Sequence, residues 1–473
     1  MSQILTPDIC VIGAGTGGLV VAAGASQLGA KTILIESHRM GGDCLNTGCV
    51  PSKALLAAAH AAVNYRRAAE FCLDQTPPRV DFAKVQAHIR GVIAAIAPND
   101  SEARFTGLGV TVLREHARFT GPGEVAVGDR RIRARRFVVA TGSAAFVPPI
   151  PGLAELPYLT NETIFDVDRL PEHLLIMGGG PIGCELAQAF ARLGARVTLV
   201  EMYALMPKDD PELVEVVRRA LKADGVALYE HHMVIGAAKS GTSVALDIET
   251  DGARRRLEGS HLLVAAGRRP RVADIGLDSA GIAHSEKGIE VDARLRTSNR
   301  RVFAVGDVVG GPQFTHLAAY HAGIVIRNAL FRLPAKANLS ALPWVTFTEP
   351  ELAHVGLSEA AARALGPIRI LRWPLAENDR AQAEHRHDGF IKIVTSARGR
   401  ILGADIVGPS AGEMIHLWTL TVSQRMKIGA VAGMIAPYPT LAEIGKRAAG
   451  NYYLPKLFGE RTKRLVRFLA RFG

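Results

Sequence analysis

The stretch Gly41-Gly42-Asp43-Cys44-Leu45-Asn46-Thr47-Gly48-Cys49-Val50-Pro51-Ser52-Lys53 holds the residues whose types and spacing most directly suggest chemistry. Two cysteines about one helical turn apart can close a disulfide, and a thiolate near a helix start has a lowered pKa. Cys44 and Cys49 therefore read as a reactive, redox-active pair. A metal centre is not expected, because no second cysteine or histidine pair stands nearby at zinc-ligand spacing. Cys10, Cys72 and Cys184 read as packing or incidental thiols. Five cysteines in 473 residues are too few for a disulfide framework, and a reducing cytoplasm is the expected compartment.

The elements that must position this pair announce themselves by their glycines. An apolar strand, Ile9 to Ile12, runs into Gly13-Ala14-Gly15-Thr16-Gly17-Gly18 and an alanine-rich helix ending near Gly29. A second strand, Thr32 to Ile35, ends on Glu36, about eighteen residues past the last motif glycine, where a dinucleotide fold places the acid for a ribose hydroxyl. Gly13 permits the tight turn, Gly15 lets backbone amides approach a pyrophosphate, and Gly18 lets the helix pack on the strand. The pattern recurs with the strand Leu174 to Met177, the turn Gly178, Gly180 and Gly183, a helix through Ala191, and a strand Arg196 to Val200 ending on Glu201. Two such units imply two dinucleotides. Glu201 suits a free 2′-hydroxyl and repels a 2′-phosphate, so NADH is expected ahead of NADPH despite the nearby Lys208.

With 48% hydrophobic and 21% charged residues, the chain suits two or three folded domains. No apolar stretch is long enough to span a bilayer without glycines and charges. The net charge of +11 gathers in two places. Arg130, Arg131, Arg133, Arg135 and Arg136 read as a solvated strand edge rather than a nucleic-acid surface. At the C terminus, Leu465, Phe468, Leu469 and Phe472 fall at helical spacing among Arg461, Lys463, Arg464, Arg467 and Arg471. This basic amphipathic tail is expected to dock on the protein's own surface, with peripheral membrane contact as the alternative.

Together with further segments, the cysteine stretch resembles the class I pyridine nucleotide-disulfide oxidoreductases, the family of dihydrolipoyl dehydrogenase, glutathione reductase and mercuric reductase. Those segments are Ala140-Thr141-Gly142, Ala266-Gly267-Arg268-Arg269-Pro270, Val302-Phe303-Ala304-Val305-Gly306-Asp307 and the run from Phe347 to Gly356. The resemblance implies an α/β fold with two dinucleotide-binding, Rossmann-like domains and a C-terminal α+β dimerisation domain. Its parts are an FAD-binding domain over 1–150 and 272–340, an inserted NAD-binding domain over 151–271, an interface domain over 341–453, and the tail 454–473. It further implies a homodimer whose two active sites are shared.

By the same resemblance, Gly13, Gly15, Gly18, Glu36, Gly42, Thr141, Gly142, Gly267, Arg268, Gly306 and Asp307 belong to the cofactor sites, with Asp307 at the FAD ribitol. Gly178, Gly180, Gly183 and Glu201 belong to NADH. Cys49 is implied as the thiol against the flavin and Cys44 as the interchange thiol that meets the substrate. Lys53 and Glu185 are implied as a pair near flavin N5, where a tethered cation stabilises anionic reduced flavin.

In the disulfide reductases of this family a C-terminal histidine, oriented by a glutamate, shuttles the thiol proton. Here Tyr438 stands in its place ahead of Glu443, and tyrosine is a poor base near pH 7. The mercuric enzymes usually end in a cysteine pair, whereas no cysteine follows Cys184 and the first strand begins almost at once, so dedicated mercury detoxification is not expected. The expected function is NADH-dependent flavoprotein reduction of the mercuric reductase-like type, with a small disulfide, a metal ion or another electrophile as acceptor. The alternatives are a dihydrolipoyl dehydrogenase acting on a lipoyl protein, and a flavin and thiol redox sensor without turnover.

Overall fold

The computed structural model describes residues 3–73 and 79–472. Its first sheet has five parallel strands in the order Val302–Ala304, Arg136–Val139, Ile9–Ile12, Thr32–Ile35 and Val110–Leu113. Every residue of Ile9–Ile12 is buried, as its unbroken apolar run requires of a strand covered on both faces. Alternate side chains serve opposite cores. Ile9 and Val11 pack with Leu19, Ala22, Ile324 and Val325 of two helices, Thr16–Gln27 and Thr315–Ala329. Cys10 and Ile12 pack with Phe119, Val125 and Ile132 of a small sheet on the other face.

The same layering recurs in a second parallel sheet, ordered Ala227–Tyr229, Arg196–Val200, His173–Met177 and His261–Val264. Leu174 and Ile176 meet Leu186 and Phe190 of the helix Pro181–Leu193, while Leu175 and Met177 meet Leu246 and Ile248 of a three-stranded antiparallel sheet. The C-terminal portion is a five-stranded antiparallel sheet carrying helices such as Ala411–Ser423. The fold is the expected α/β class, with two Rossmann-like units and a C-terminal α+β unit.

Two expectations need correction. Arg130–Ile132 is not a sheet edge, because Ile4–Leu5 pairs outside it and Glu124–Val127 inside. The cluster's arginines are solvated but partnered, Arg130 by Glu115, Arg131 and Arg133 by Glu124, and Arg135 by Asp8. The tail does form a helix, Glu460–Leu469, yet it does not dock on its own chain. Leu465, Phe468, Leu469 and Phe472 are all exposed. Among the described residues, no helix is long and apolar enough to cross a membrane.

Candidate active site

The cysteine pair sits where a cleft of about 2170 Å³ passes between the two nucleotide units. The pair spans two helices rather than one turn of a single helix. Cys44 lies in the short helix Gly42–Asn46, and Cys49 is the first residue of Cys49–Arg66. Gly41 and Gly42 carry positive φ, +86° and +57°, which turns the chain from the first sheet into this segment. A Cβ on Gly42 would lie 2.6 Å from Gly15 Cα, so only glycine lets the cysteine segment close over the glycine turn.

Cys49 Sγ lies 3.3 Å from Thr315 Oγ1, and Thr315 is delivered by the first turn of the helix Thr315–Ala329. That helix approaches Thr16–Gln27 closely because a glycine faces it. A Cβ on Gly24 would come 2.6 Å from Ile326 Cδ1. The Cys49 thiol is pulled down to about 6 by the hydrogen bond from Cys44, then by Thr315 and by the Lys53 cation. Cys44 moves the other way, because its proton is held in the bond to Cys49 and its site is partly buried. The expectation of a lowered thiol pKa thus holds for Cys49 and fails for Cys44. When the reduced pair loses its first proton, these shifts favour Cys49 as the thiolate and Cys44 as the thiol.

Lys53 and Glu185 meet as the sequence predicted, with Nζ 2.8 Å from Oε2. The other oxygen of buried Glu185 accepts from the Phe347 backbone N–H at 2.9 Å, and Lys53 Nζ lies 4.2 Å from the centre of the Phe347 ring. Glu185 therefore ties together three segments that are remote in sequence. Lys53 is left with donors facing the cleft, where a cation can hold an anion.

The two acids that end the second strand of each unit make the same bonds. Glu36 accepts from the N–H groups of Ala14 and His38, both at 2.7 Å. Glu201 accepts from those of Gly179 and Tyr203, at 2.6 and 2.9 Å. In both units the first glycine has positive φ and no space for a Cβ, which would lie 2.4 Å from the carbonyl oxygen of Ala140 beside Gly13 or of Ala265 beside Gly178. Gly18 and Gly183 press against the oxygens of Gly13 and Gly178 in the same way, whereas Gly15 and Gly180 face open space. These cradles fit two dinucleotides, with backbone amides and a helix N-terminus facing each pyrophosphate position.

Thr141, Gly142, Gly267, Arg268, Gly306 and Asp307 all line the cleft. Asp307 accepts from Ser143 Oγ at 2.6 Å, and Arg268 donates to the same Ser143 Oγ at 2.8 Å and pairs with Asp43. Burial pushes the Asp307 carboxyl up despite its Ser143 bond. Tyr438 and Glu443 are not among the residues that line this cleft. Tyr438 is exposed and donates to Asp379 Oδ2 at 2.7 Å, which raises its pKa further, while Glu443 pairs with Arg447. Thr315, Ser143 and the Phe347 amide escaped the sequence reading. A threonine opening a helix gives no hint of a sulfur partner 266 positions away.

Residues 7–322 match the family model of the pyridine nucleotide-disulphide oxidoreductases, and residues 342–449 match the dimerisation domain of the same family. The chain belongs to this family. Its relatives include a mercuric reductase of Streptomyces lividans, 35% identical over 94% of this chain and 96% of the relative. A dihydrolipoyl dehydrogenase of Thermus scotoductus is 36% identical over 93% of this chain and 95% of its own. Among solved structures, the Cu(II) complex of the HOCl-induced flavoprotein disulfide reductase RclA from Escherichia coli superposes with a TM-score of 0.84 at 26% identity, covering 93% and 98% of the two chains. The oxidoreductase is therefore an FAD- and NAD(P)H-dependent flavoprotein, and its dimerisation domain supports a homodimer.

Proposed function

We propose that this oxidoreductase takes electrons from NADH and passes them through the Cys44–Cys49 pair to a small electrophilic acceptor, a metal ion or small disulfide, in the manner of the mercuric reductases. The observation that carries this reading is the geometry at the pair, with Cys49 Sγ 3.3 Å from Thr315 Oγ1 and the Glu185-tethered Lys53 in the same cleft, which is lined from both nucleotide units. Residues 1–150 and 272–340 hold FAD, 151–271 hold NADH, and 341–453 form the interface. Glu36, Gly15, Gly42 and Asp307 hold the flavin cofactor, which when bound supplies a two-electron relay between nicotinamide and disulfide. Glu201 selects NADH by accepting from a free ribose hydroxyl.

The protein's own part is charge and proton placement. Lys53, fixed by Glu185, presents a cation to the reacting centre and holds Cys49 as a thiolate. Cys44 attacks an acceptor only after surrendering the proton it donates to Cys49, so proton removal gates its chemistry. Tyr438, kept protonated by Asp379, is ill suited to that removal, which favours a metal ion over a lipoyl protein or other disulfide that relies on an imidazole base. The cytoplasm is the compartment that keeps such a pair supplied with NADH.

The deciding experiment is anaerobic NADH oxidation by the FAD-loaded homodimer, with lipoamide and with thiol-complexed Hg(II) side by side. Metal reduction that disappears in Cys44→Ser, with slow lipoamide turnover, is the expected result. Fast lipoamide turnover would overturn the acceptor assignment.

A further inference from the structure

The C-terminal helix leaves an apolar face exposed on its own chain. At about 100° per residue, Leu465, Val466, Phe468, Leu469 and Phe472 fall on one arc of the helix Glu460–Leu469 and its extension, and each is at least half exposed, up to 74% for Phe472. Phe468 and Phe472 already pack edge to face, with ring centres 5.2 Å apart. Upstream, Leu457 and Phe458 are also exposed. Lys463, Arg464, Arg467 and Arg471 occupy the opposite arc. Glu460 is the only acid against six basic residues in the segment from Leu454 to the end of the chain. It pairs with Lys463 and Arg467, while among the described residues no carboxylate pairs with Arg461, Arg464 or Arg471.

We infer that this helix docks the homodimer on an anionic lipid surface, lying flat with its phenylalanines and leucines at the acyl boundary and its arginines among the headgroups. Ten residues make a helix about 15 Å long, too short to span a bilayer but suited to the interface plane. Charge complementarity selects the occupant. An acidic lipid surface answers the unpaired arginines, whereas a second copy of this chain brings its own net charge of +11. A homodimer carries two such helices, so the second contact follows the first at high effective concentration.

The test is cosedimentation of the FAD-loaded, full-length homodimer with vesicles of phosphatidylcholine alone and with vesicles rich in phosphatidylglycerol. Binding to the anionic vesicles is expected to be about tenfold or more tighter and to weaken with salt. The variant Leu465→Ser, Phe468→Ser, Phe472→Ser should lose vesicle binding while keeping its NADH oxidation rate and its dimeric mass. Arg464→Gln with Arg467→Gln and Arg471→Gln should lose the preference for anionic lipid. Equal binding to both vesicle types, or none to either, would overturn the proposal. So would a serine variant that falls apart into monomers, since the face would then belong to a second copy.

Discussion

The Cys49 thiol is drawn down to about 6 by a sulfhydryl, a hydroxyl and an ammonium contributed by three helices. The reduced protein should therefore be alkylated by iodoacetamide at a rate that rises through pH about 6, below the ordinary thiol range. Thr315→Val and Lys53→Met each remove a group that lowers the thiol, so both should move the midpoint upward. Lys53→Met also leaves the buried Glu185 carboxylate with the Phe347 amide as its remaining partner, and should lower kcat/KM for NADH oxidation. An unchanged alkylation profile in both variants would mean that the Cys44 hydrogen bond alone sets the charge.

The elements that hold this site were legible to different degrees. Strand, glycine turn, helix and terminal acid were readable twice over, because parallel strands covered on both faces must be unbroken apolar runs and the turn geometry admits only glycine. Thr32–Ile35 and Arg196–Val200 have the predicted bounds. Contacts between distant elements were not readable, since neither partner's local pattern records the other. Arg192 is an example. It looks like a surface arginine near a helix end, yet it is 2% exposed and pairs with Asp224 at 2.8 Å and Glu349 at 2.6 Å. Gln188 and Arg386 also bond Glu349, so the helix Pro181–Leu193 is clamped to the turn ahead of Glu351–Gly356. Replacing Arg192 by methionine leaves that carboxylate short of its closest cation and should cost about 3–5 kcal/mol in urea unfolding at fixed protein concentration. A loss below about 1 kcal/mol would show that Arg386 suffices.

For the whole molecule, two buried networks set opposite limits to the pH range of stability. Burial would lower the His354 pKa, but the hydrogen bond to Asp405 and the Gly356 carbonyl on its other nitrogen outweigh it, so the ring stays protonated above its ordinary value. Its stabilisation is full below the unfolded histidine pKa of about 6.5 and is lost as pH rises through the raised value. Burial would raise Glu349, but Arg192 holds it below its ordinary value, so its contribution is present above the unfolded pKa and is lost as the medium is acidified. His354→Gln, which keeps hydrogen bonding without titration, should flatten the alkaline fall of Tm. A parallel drop across all pH values would point to packing instead. The strand order of the first sheet bears on how the protein is made. Val302–Ala304 pairs with Arg136–Val139, so a nascent chain carries that sheet with an unpaired edge through about 160 further residues, about 8–32 seconds of synthesis. During that interval the second nucleotide unit leaves the ribosome whole, and the cysteine segment waits for a threonine not yet translated.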